Sequence, residues 1–311
     1  MGNDYGSITL AAAQNEFLTH CRHERRLDEK TITAYKTDLK QFAERFHDGI
    51  KIRAITREDV RSWISSLSKY RYKTIKRKVA SYGVFMQYLE DAYEGFERPV
   101  RRVLLKMKAP VGLPTVMSSS EVGCVLEEVN KRVCDLGASP KQHILAIRNR
   151  AIIELLFGTG MRIGELCGLR NVDVDLRQGK VRIHGKGNKE RVVDICTPAI
   201  LDAQLEWCHC HPLMNAADGY YFISRSGRRM EPQSIRILVH QLAKACNIHK
   251  RVTPHTFRHT FASLLLEENV DIAIIQQILG HSSILTTQIY LHVNPLKQRD
   301  VLTRQHPRNR L

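Results

Sequence analysis

The chain carries a set of cationic and phenolic side chains whose types suit chemistry at a phosphodiester. The set comprises two arginines, a lysine, two histidines and a tyrosine: Arg162, Lys186, His255, Arg258, His281 and Tyr290. A tyrosine hydroxyl has a reference pKa of about 10, so it becomes an effective nucleophile only beside cations and a proton acceptor. Two guanidinium groups can bind phosphate oxygens and balance the charge that a metal ion would otherwise balance. The set predicts attack on a phosphate by tyrosine, with no metal and no cofactor.

Each of these residues has an ordinary structural explanation when it is taken alone, so the prediction depends on the combination. A single arginine is usually a surface charge, and a single tyrosine is usually a half-buried packing residue. The lysine also has competitors, because Lys189 and Arg191 follow Lys186 closely. The position of Lys186 in a Gly-Lys-Gly-Asn turn favours it as the lysine of the set, and Lys189 remains the main alternative.

Helix signals indicate how the two histidine-containing segments are held. Thr253 followed by Pro254 predicts a helix start, and places His255 and Arg258 side by side in its first turn. We expect the opposite face of this helix to be buried through Phe257, Phe261, Leu264 and Leu265.

Further helix ends lie next to the other candidate residues. Asp271 predicts the start of a helix and Gly280 its end, so His281 lies at a fixed helix terminus. An apolar helix over 144–157 is predicted to stop at Gly158-Thr-Gly, just before Arg162. Residues 172–196 alternate polar and apolar side chains around a glycine turn, which predicts a small antiparallel sheet with a hairpin. The predicted fold class is mainly α with this small antiparallel β-sheet (α+β).

The first hundred residues predict a compact helical domain with a basic segment. Helical periodicity covers 7–24 and 31–47, and Thr56-Arg-Glu-Asp59 resembles a capping box that begins a third helix. A fourth helix follows segment 69–78, with apolar residues from Val79 to Leu89. That segment has no acidic residue and six basic ones, namely Lys69, Arg71, Lys73, Lys76, Arg77 and Lys78. Such a run is often a solvated helix face. Because uncompensated like charges repel one another, binding to a phosphate backbone is the better explanation.

Bulk properties agree with a nucleic-acid partner and two domains. The net charge is +16, and residues 1–113 and the remainder each carry +8, so no single basic tail is responsible. Prolines and glycines interrupt a basic stretch between the two parts. The predicted domains are therefore residues 7–108 and 118–311, joined by a linker over 109–117.

Cysteine usage and hydropathy predict a cytoplasmic protein without a membrane segment. The eight cysteines lack the dense, even spacing of a secreted disulfide framework, and no apolar run approaches the ~18 residues of a membrane span. Cys208-His-Cys-His has adjacent potential ligands rather than the spacing of a zinc site, so we expect ordinary helix-end sequence there.

Four segments together resemble the tyrosine recombinases, or phage integrase family, and especially its Xer-type and mobile-element members. They are Gly158-Thr-Gly-Met-Arg-Ile-Gly-Glu-Leu, Gly185-Lys-Gly-Asn-Lys-Glu-Arg, His255-Thr-Phe-Arg-His-Thr-Phe-Ala and Leu279-Gly-His-Ser…Thr-Thr-Gln-Ile-Tyr-Leu-His-Val. The resemblance runs from about residue 7 to His306-Pro-Arg308. It implies an N-terminal helical-bundle, SAM-like DNA-binding domain and a C-terminal catalytic domain.

The resemblance implies a role for each matched residue. Tyr290 would join its phenol oxygen to a DNA 3′-phosphate, while Arg162 and Arg258 clamp that scissile phosphate. Lys186 would protonate the 5′-oxygen leaving group.

The remaining matched residues would assist. His255 would act as an acid or base, His281 would support the phosphate, and Glu165 would orient without reacting. The implied reaction is site-specific recombination of double-stranded DNA through a Holliday junction, catalysed by a homo- or heterotetramer. It would serve mobile-element integration or the resolution of DNA dimers and cointegrates. A type IB topoisomerase and a DNA-binding module without catalysis are the alternatives, and the intact residue set argues against the second.

Overall fold

The computed structural model describes residues 6–100, 114–185, 189–195, 197–210 and 219–280. It divides the chain into two compact units, Met1–Val111 and Gly112–Leu311. Helices dominate the described part of each unit, and a small antiparallel sheet lies in the second, so the predicted fold class is confirmed. The division falls inside the predicted linker 109–117, while the functional limits of the two domains stay predictions.

The described part of the first unit forms four α-helices: α1 (Leu10–His23), α2 (Glu29–Ala43), α3 (Arg57–Ser66) and α4 (Tyr72–Ala92). Short 3-10 turns at Ile52–Ala54 and Leu67–Lys69 flank α3. The Thr56 side chain accepts a hydrogen bond from the Asp59 N–H, and the Asp59 carboxylate accepts one from the Thr56 N–H at 2.9 Å. This reciprocal pair is the capping box that the sequence predicts.

Aromatic side chains fill the core of the first unit. The Phe42 ring meets Trp63 and Tyr82 edge-on, with centroids 5.1 and 5.2 Å apart. α2 ends at Ala43, four residues before the predicted end. Phe46 still packs on Phe42 at 5.2 Å from the turn beyond the helix. The apolar spacing that suggested a longer helix therefore reflects burial of a turn.

Seven described α-helices and three strands make up the second unit. The helices are α5 (Ser119–Val133), α6 (Pro140–Thr159), α7 (Ile163–Gly168), α8 (Pro198–Cys210), α9 (Pro232–Ala245), α10 (Pro254–Glu267) and α11 (Ile272–Leu279). The strands are β1 (Val174–Asp175), β2 (Lys180–His184) and β3 (Glu190–Asp194). A 3-10 turn at Asn171–Asp173 leads from α7 into β1.

α6 is the central helix of the second unit and is buried on nearly every side. It packs against α5, α8 and α10, and Ala151, Ile152, Ile153, Leu155 and Leu156 have no measurable exposure. α8 approaches so closely that a Cβ on Gly158 would lie 2.1 Å from Ile200 Cδ1. A side chain at Gly158 would force Ile200 to shift, and this contact lies next to the turn that leads to the candidate site.

The sheet has the order β1-β2-β3 and is antiparallel throughout. Val181 pairs with Val193, and His184 pairs with Glu190 at the end of the hairpin. Beyond that pair, the Gly185 N–H donates to the Lys189 carbonyl at 2.7 Å, as the predicted hairpin requires. Within the described residues, no helix has the length and apolar character to cross a membrane.

Candidate active site

The end of α6 sets the position of Arg162. Gly160 adopts the left-handed conformation (φ +59°) and its N–H donates to the Leu156 carbonyl, which ends the helix. A Cβ on Gly160 would lie 2.7 Å from side-chain atoms of both Leu279 and Phe261, so the turn is pressed against α10 and α11. Arg162 then leaves this buried turn as the N-cap of α7, with 40% of its side chain exposed.

Glu165 is held by two arginines. Arg162 donates to it twice, from its backbone N–H to Oε2 and from Nη1 to Oε1, each at 2.8 Å. Arg191 donates from Nη1 to Oε1 at 3.2 Å and from Nη2 to Oε2 at 2.8 Å. Burial raises the pKa of the Glu165 carboxyl, but the hydrogen bonds from Arg191 and Arg162 outweigh burial and hold the pKa below its ordinary value. The carboxylate is ionised and fixed at neutral pH.

Arg258 is buried at the junction of three helices. Its side chain is 3% exposed. Nη1 donates to the Gly160 carbonyl at 2.7 Å and Nη2 to the Leu279 carbonyl at 2.6 Å. The expectation that Arg258 lies opposite the buried face of α10 is therefore wrong. Pro254, Thr256, Arg258 and Thr260 are buried, whereas Leu264 and Leu265 are only partly buried, because α6 and α11 cover the start of this helix.

His255 lies in the first turn of α10 and keeps contact with solvent. Thr253 caps the helix as predicted, through a 3.3 Å bond from the Thr256 N–H to its hydroxyl. Burial by neighbouring atoms lowers the pKa of the His255 imidazole below its ordinary value. The charges of Arg258, Arg162 and Arg236 lower the pKa further. His255 is consequently neutral at pH 7 and lies within the field of both predicted arginines.

Three predicted site residues, Lys186, His281 and Tyr290, lie outside the described residues. Their neighbours are described. Gly185 and Lys189 close the β2–β3 hairpin, and Gly280 ends α11 in the left-handed conformation (φ +62°), as the sequence predicts. The structure thus brings Arg162, Glu165, His255 and Arg258 together, and the catalytic roles of all seven predicted site residues stay predictions.

The basic segment at the start of α4 divides into exposed residues and one buried residue. Lys69, Arg71, Lys73, Lys76 and Arg77 are exposed. Lys78 is 3% exposed, and its ammonium lies 3.2 Å from Asp38, which is 1% exposed. Arg77 and Ser81 also donate to Asp38. The prediction that Lys78 binds phosphate therefore needs correction, because its charge is already balanced inside the α2–α4 interface.

Sequence profiles of two protein domains match the chain, one in each unit. The profile described as the phage integrase family matches residues 128–297. The profile of the phage integrase N-terminal SAM-like domain matches residues 15–92. The chain belongs to the phage integrase family. The predicted enzyme class, a tyrosine recombinase, is confirmed with it.

Curated relatives of this phage integrase family member match along nearly their whole length. A protein named tyrosine recombinase from Agathobacter rectalis is 39% identical over 297 residues, covering 94% of this chain and 96% of that protein. The tyrosine recombinase XerD of Halalkalibacterium halodurans is 37% identical over 301 residues, covering 94% and 97%. The chain and these relatives therefore share one domain arrangement.

Solved structures of other phage integrase family members have the same fold. The XerH site-specific recombinase, bound to palindromic difH substrate after cleavage, aligns with a TM-score of 0.75 and 23% identity. The alignment covers 94% of this chain and 84% of that one. A lambda integrase tetramer bound to a Holliday junction aligns with a TM-score of 0.65 and 14% identity, covering 93% and 78%. At these identities the likeness establishes the fold.

The structure places two further arginines of this family member near the candidate site. The sequence did not predict that they would lie there. Arg191 contacts Glu165, and Arg236 on α9 contributes to the field at His255. A signal for Arg191 was present in the strand pattern. Residues 191 and 193 share one face of β3, and Val193 is buried, so a strict alternation already turns Arg191 inward.

Proposed function

We propose that the chain cleaves and rejoins DNA strands at specific sites through a phosphotyrosine formed on Tyr290. The observation that carries this proposal is the convergence of Arg162, His255 and Arg258 where α6, α10 and α11 meet. Arg162 extends into solvent from this junction, and Arg258 is fixed within it by two carbonyls. A phosphate bound beside Arg162 would meet two guanidinium charges, as a pentavalent transition state requires.

The chemical step balances without an added co-reactant. The Tyr290 oxygen attacks the scissile phosphorus and loses its proton to a base, for which neutral His255 is suited by its lowered pKa. The bond from phosphorus to the 5′-oxygen breaks, and the leaving oxygen takes a proton from Lys186, with Lys189 as the alternative donor. Attack by a 5′-hydroxyl of another strand reverses the step. Because the phosphotyrosine conserves the bond energy, neither a nucleotide nor a metal ion is needed.

Differences between the arginines suggest different contributions. Arg162 has the exposed guanidinium and is suited to direct, bidentate contact with phosphate oxygens. Arg258 supplies positive charge from the buried floor of the site, where low polarity strengthens its effect. His281 would add a further hydrogen bond to the phosphate.

The proposed substrate is double-stranded DNA carrying recombination sites, acted on by a homo- or heterotetramer in the cytoplasm. Exposed cations of the 69–78 segment would bind the DNA backbone and position it without reading its sequence. The DNA-bound XerH recombinase and the lambda integrase tetramer on a Holliday junction support this assembly by their shared fold.

Covalent capture on a nicked suicide substrate tests the proposal. We expect the wild-type chain to form a denaturant-resistant protein–DNA adduct in EDTA and without nucleotide, and Tyr290→Phe to form none while still binding DNA. Tyr220→Phe is a matched control, because the Tyr220 ring stacks on Arg170 at 3.8 Å without a proposed role in cleavage. An adduct with Tyr290→Phe would refute the nucleophile assignment.

A two-site assay then separates the candidate activities. A recombinase yields exchanged products and Holliday junctions from two DNA sites, whereas a topoisomerase only relaxes supercoils. A chain that binds DNA without any adduct is a binding module. The first outcome supports the proposal, and either of the others overturns it.

A further inference from the structure

Arg191 connects two segments that carry predicted site residues. Its Nη1 and Nη2 donate to the two carboxylate oxygens of Glu165, at the start of α7. Its Nε donates to the carbonyl of Ile278, in the last turn of α11, at 2.8 Å. The side chain is 11% exposed. One guanidinium on β3 therefore fixes both the helix that follows Arg162 and the end of the helix that precedes His281.

Arg258 completes this connection at the adjacent carbonyl of α11. It binds the carbonyl of Leu279, the residue after Ile278, and also binds the carbonyl of Gly160, two residues before Arg162. The two arginines thus take adjacent carbonyls at the end of one helix, where partial negative charge favours cations. Each arginine also binds segment 160–165, Arg191 through Glu165 and Arg258 through Gly160. The two arginines therefore link this segment to the end of α11 at two points.

We propose that Arg191 is a positioning residue that holds Glu165 against Arg162 and fixes the chain as it leaves α11. This inference rests on the proposed function, because the position it protects is that of the phosphate-binding arginine. Arg191 acts through Glu165 and through the backbone rather than on the substrate.

The contacts explain why an arginine is needed at this position. Glu165 is 7% exposed, so without Arg191 its charge would be balanced by Arg162 alone. Arg162 would then be held less firmly by a carboxylate that protonates more readily. Lysine keeps the charge of Arg191 but lacks the planar fork that reaches two carboxylate oxygens and a carbonyl at once. Gly280 packs beside this guanidinium, since a Cβ there would lie 3.1 Å from Nη1.

Single-turnover cleavage of the suicide substrate, measured with DNA affinity, tests the role. Removing a residue that orients a metal ligand typically costs about 10- to 100-fold, and we take the same order of magnitude for a residue that orients Arg162. We expect a loss of that size with Arg191→Gln, a smaller loss with Arg191→Lys, and DNA affinity within about threefold of wild type. Arg177→Gln is the matched control, an exposed arginine in the β1–β2 turn at the far end of the sheet, and should cleave normally.

A pH profile and a double variant separate positioning from a loss of folding. The described charged groups against Glu165 are Arg162 and Arg191. With Arg191→Gln we expect an additional decline in the cleavage rate at mildly acidic pH as Glu165 takes up a proton, beyond the decline from protonation of His255 that the variant shares with wild type. In a Glu165→Gln background, Arg191→Gln should cost clearly less than it does in the wild-type background, because only the hydrogen bond to the Ile278 carbonyl is then removed. Independent, fully multiplied losses or an unchanged rate would overturn the proposal.

A second measurement keeps this inference separate from the proposed function. A wild-type chain that forms no adduct refutes the recombinase chemistry at Tyr290. The role of Arg191 can then still be tested, by following the Glu165 carboxyl resonance in an NMR pH titration. Its titration midpoint should rise in Arg191→Gln and stay unchanged in Arg177→Gln. A midpoint unmoved by Arg191→Gln would show that Arg191 does not hold the carboxylate.

Discussion

Arg258 and Gly160 lie 98 positions apart in the chain and are joined by a 2.7 Å hydrogen bond from Nη1 to the glycine carbonyl. The bond places a buried positive charge at the carboxyl end of α6, whose carbonyls carry partial negative charge. The same guanidinium binds Leu279 at the end of α11. Arg258, which we propose to act on phosphate, therefore also holds together the ends of α6 and α11.

A side chain at Gly160 should be destabilising, because its backbone is left-handed and its surroundings are crowded. The left-handed conformation costs a non-glycine residue about 1–2 kcal/mol, and overpacking against Leu279 and Phe261 costs about 1–3 kcal/mol more. We expect Gly160→Ala to lower the free energy of unfolding by about 2–5 kcal/mol in urea denaturation.

The control for this substitution is a glycine inside a helix with open space around it. A Cβ on Gly123 in α5 meets nothing within 4 Å. Gly123→Ala should leave stability unchanged or raise it by about 0.5–1 kcal/mol. Equal stability of the two alanine variants would show that the turn at Gly160 relaxes to accept the methyl group.

His255 should titrate below the ordinary histidine value of 6.5 in the free protein. Burial is the main cause, and the charges of Arg258, Arg162 and Arg236 add to it. As pH falls through 6.5, the unfolded chain binds a proton at this position before the folded chain does. Stability therefore falls with decreasing pH until the folded imidazole is protonated too.

The contribution of arginine charge to this pKa can be measured at an exposed position. Arg236→Gln removes one of the charges near His255, so the midpoint of the His255 ring resonances in NMR should move upward. Bound DNA phosphate should move it upward as well. A midpoint at or above 6.5 in the free wild-type protein would contradict the lowered pKa of His255.

Local signals predicted the elements that hold the site. The capping box at Thr56, the Thr253-Pro254 start of α10 and the Gly280 end of α11 are all present. Each of these depends on side chains and backbone groups within about four residues. Short-range chemistry of this kind is readable from sequence without knowledge of the fold.

Contacts between distant segments could not be predicted from such short-range signals. Arg258 looked like a solvent-facing residue because the apolar residues of α10 favoured another face, yet its partners come from α6 and α11. Likewise, Arg191 looked like a rival of Lys186, and only the packing of β3 against α7 and α11 gives it Glu165 and Ile278 as partners. Tertiary packing decides such cases.

Lys76 and Lys78 lie two residues apart on α4, and their substitution should affect different properties, DNA binding for Lys76 and stability for Lys78. Lys76 is exposed, so Lys76→Met should keep its stability within about 0.5 kcal/mol. Lys76→Met should weaken DNA binding and reduce the slope of affinity against salt by about one counterion.

Lys78 is buried against Asp38. Removing one partner of a buried ion pair costs about 3–5 kcal/mol, and we expect somewhat less for Lys78→Met because Arg77 and Ser81 still contact Asp38.

Denaturation and salt-dependent DNA binding on both variants decide between these outcomes. Lys78→Met should unfold at lower urea concentration, and its folded fraction should keep the wild-type salt slope. This expectation follows because a charge already balanced by Asp38 releases no counterion from DNA. A stable Lys78→Met protein with a reduced slope would show instead that this lysine leaves Asp38 to bind phosphate. The prediction from sequence that Lys78 binds phosphate would then hold.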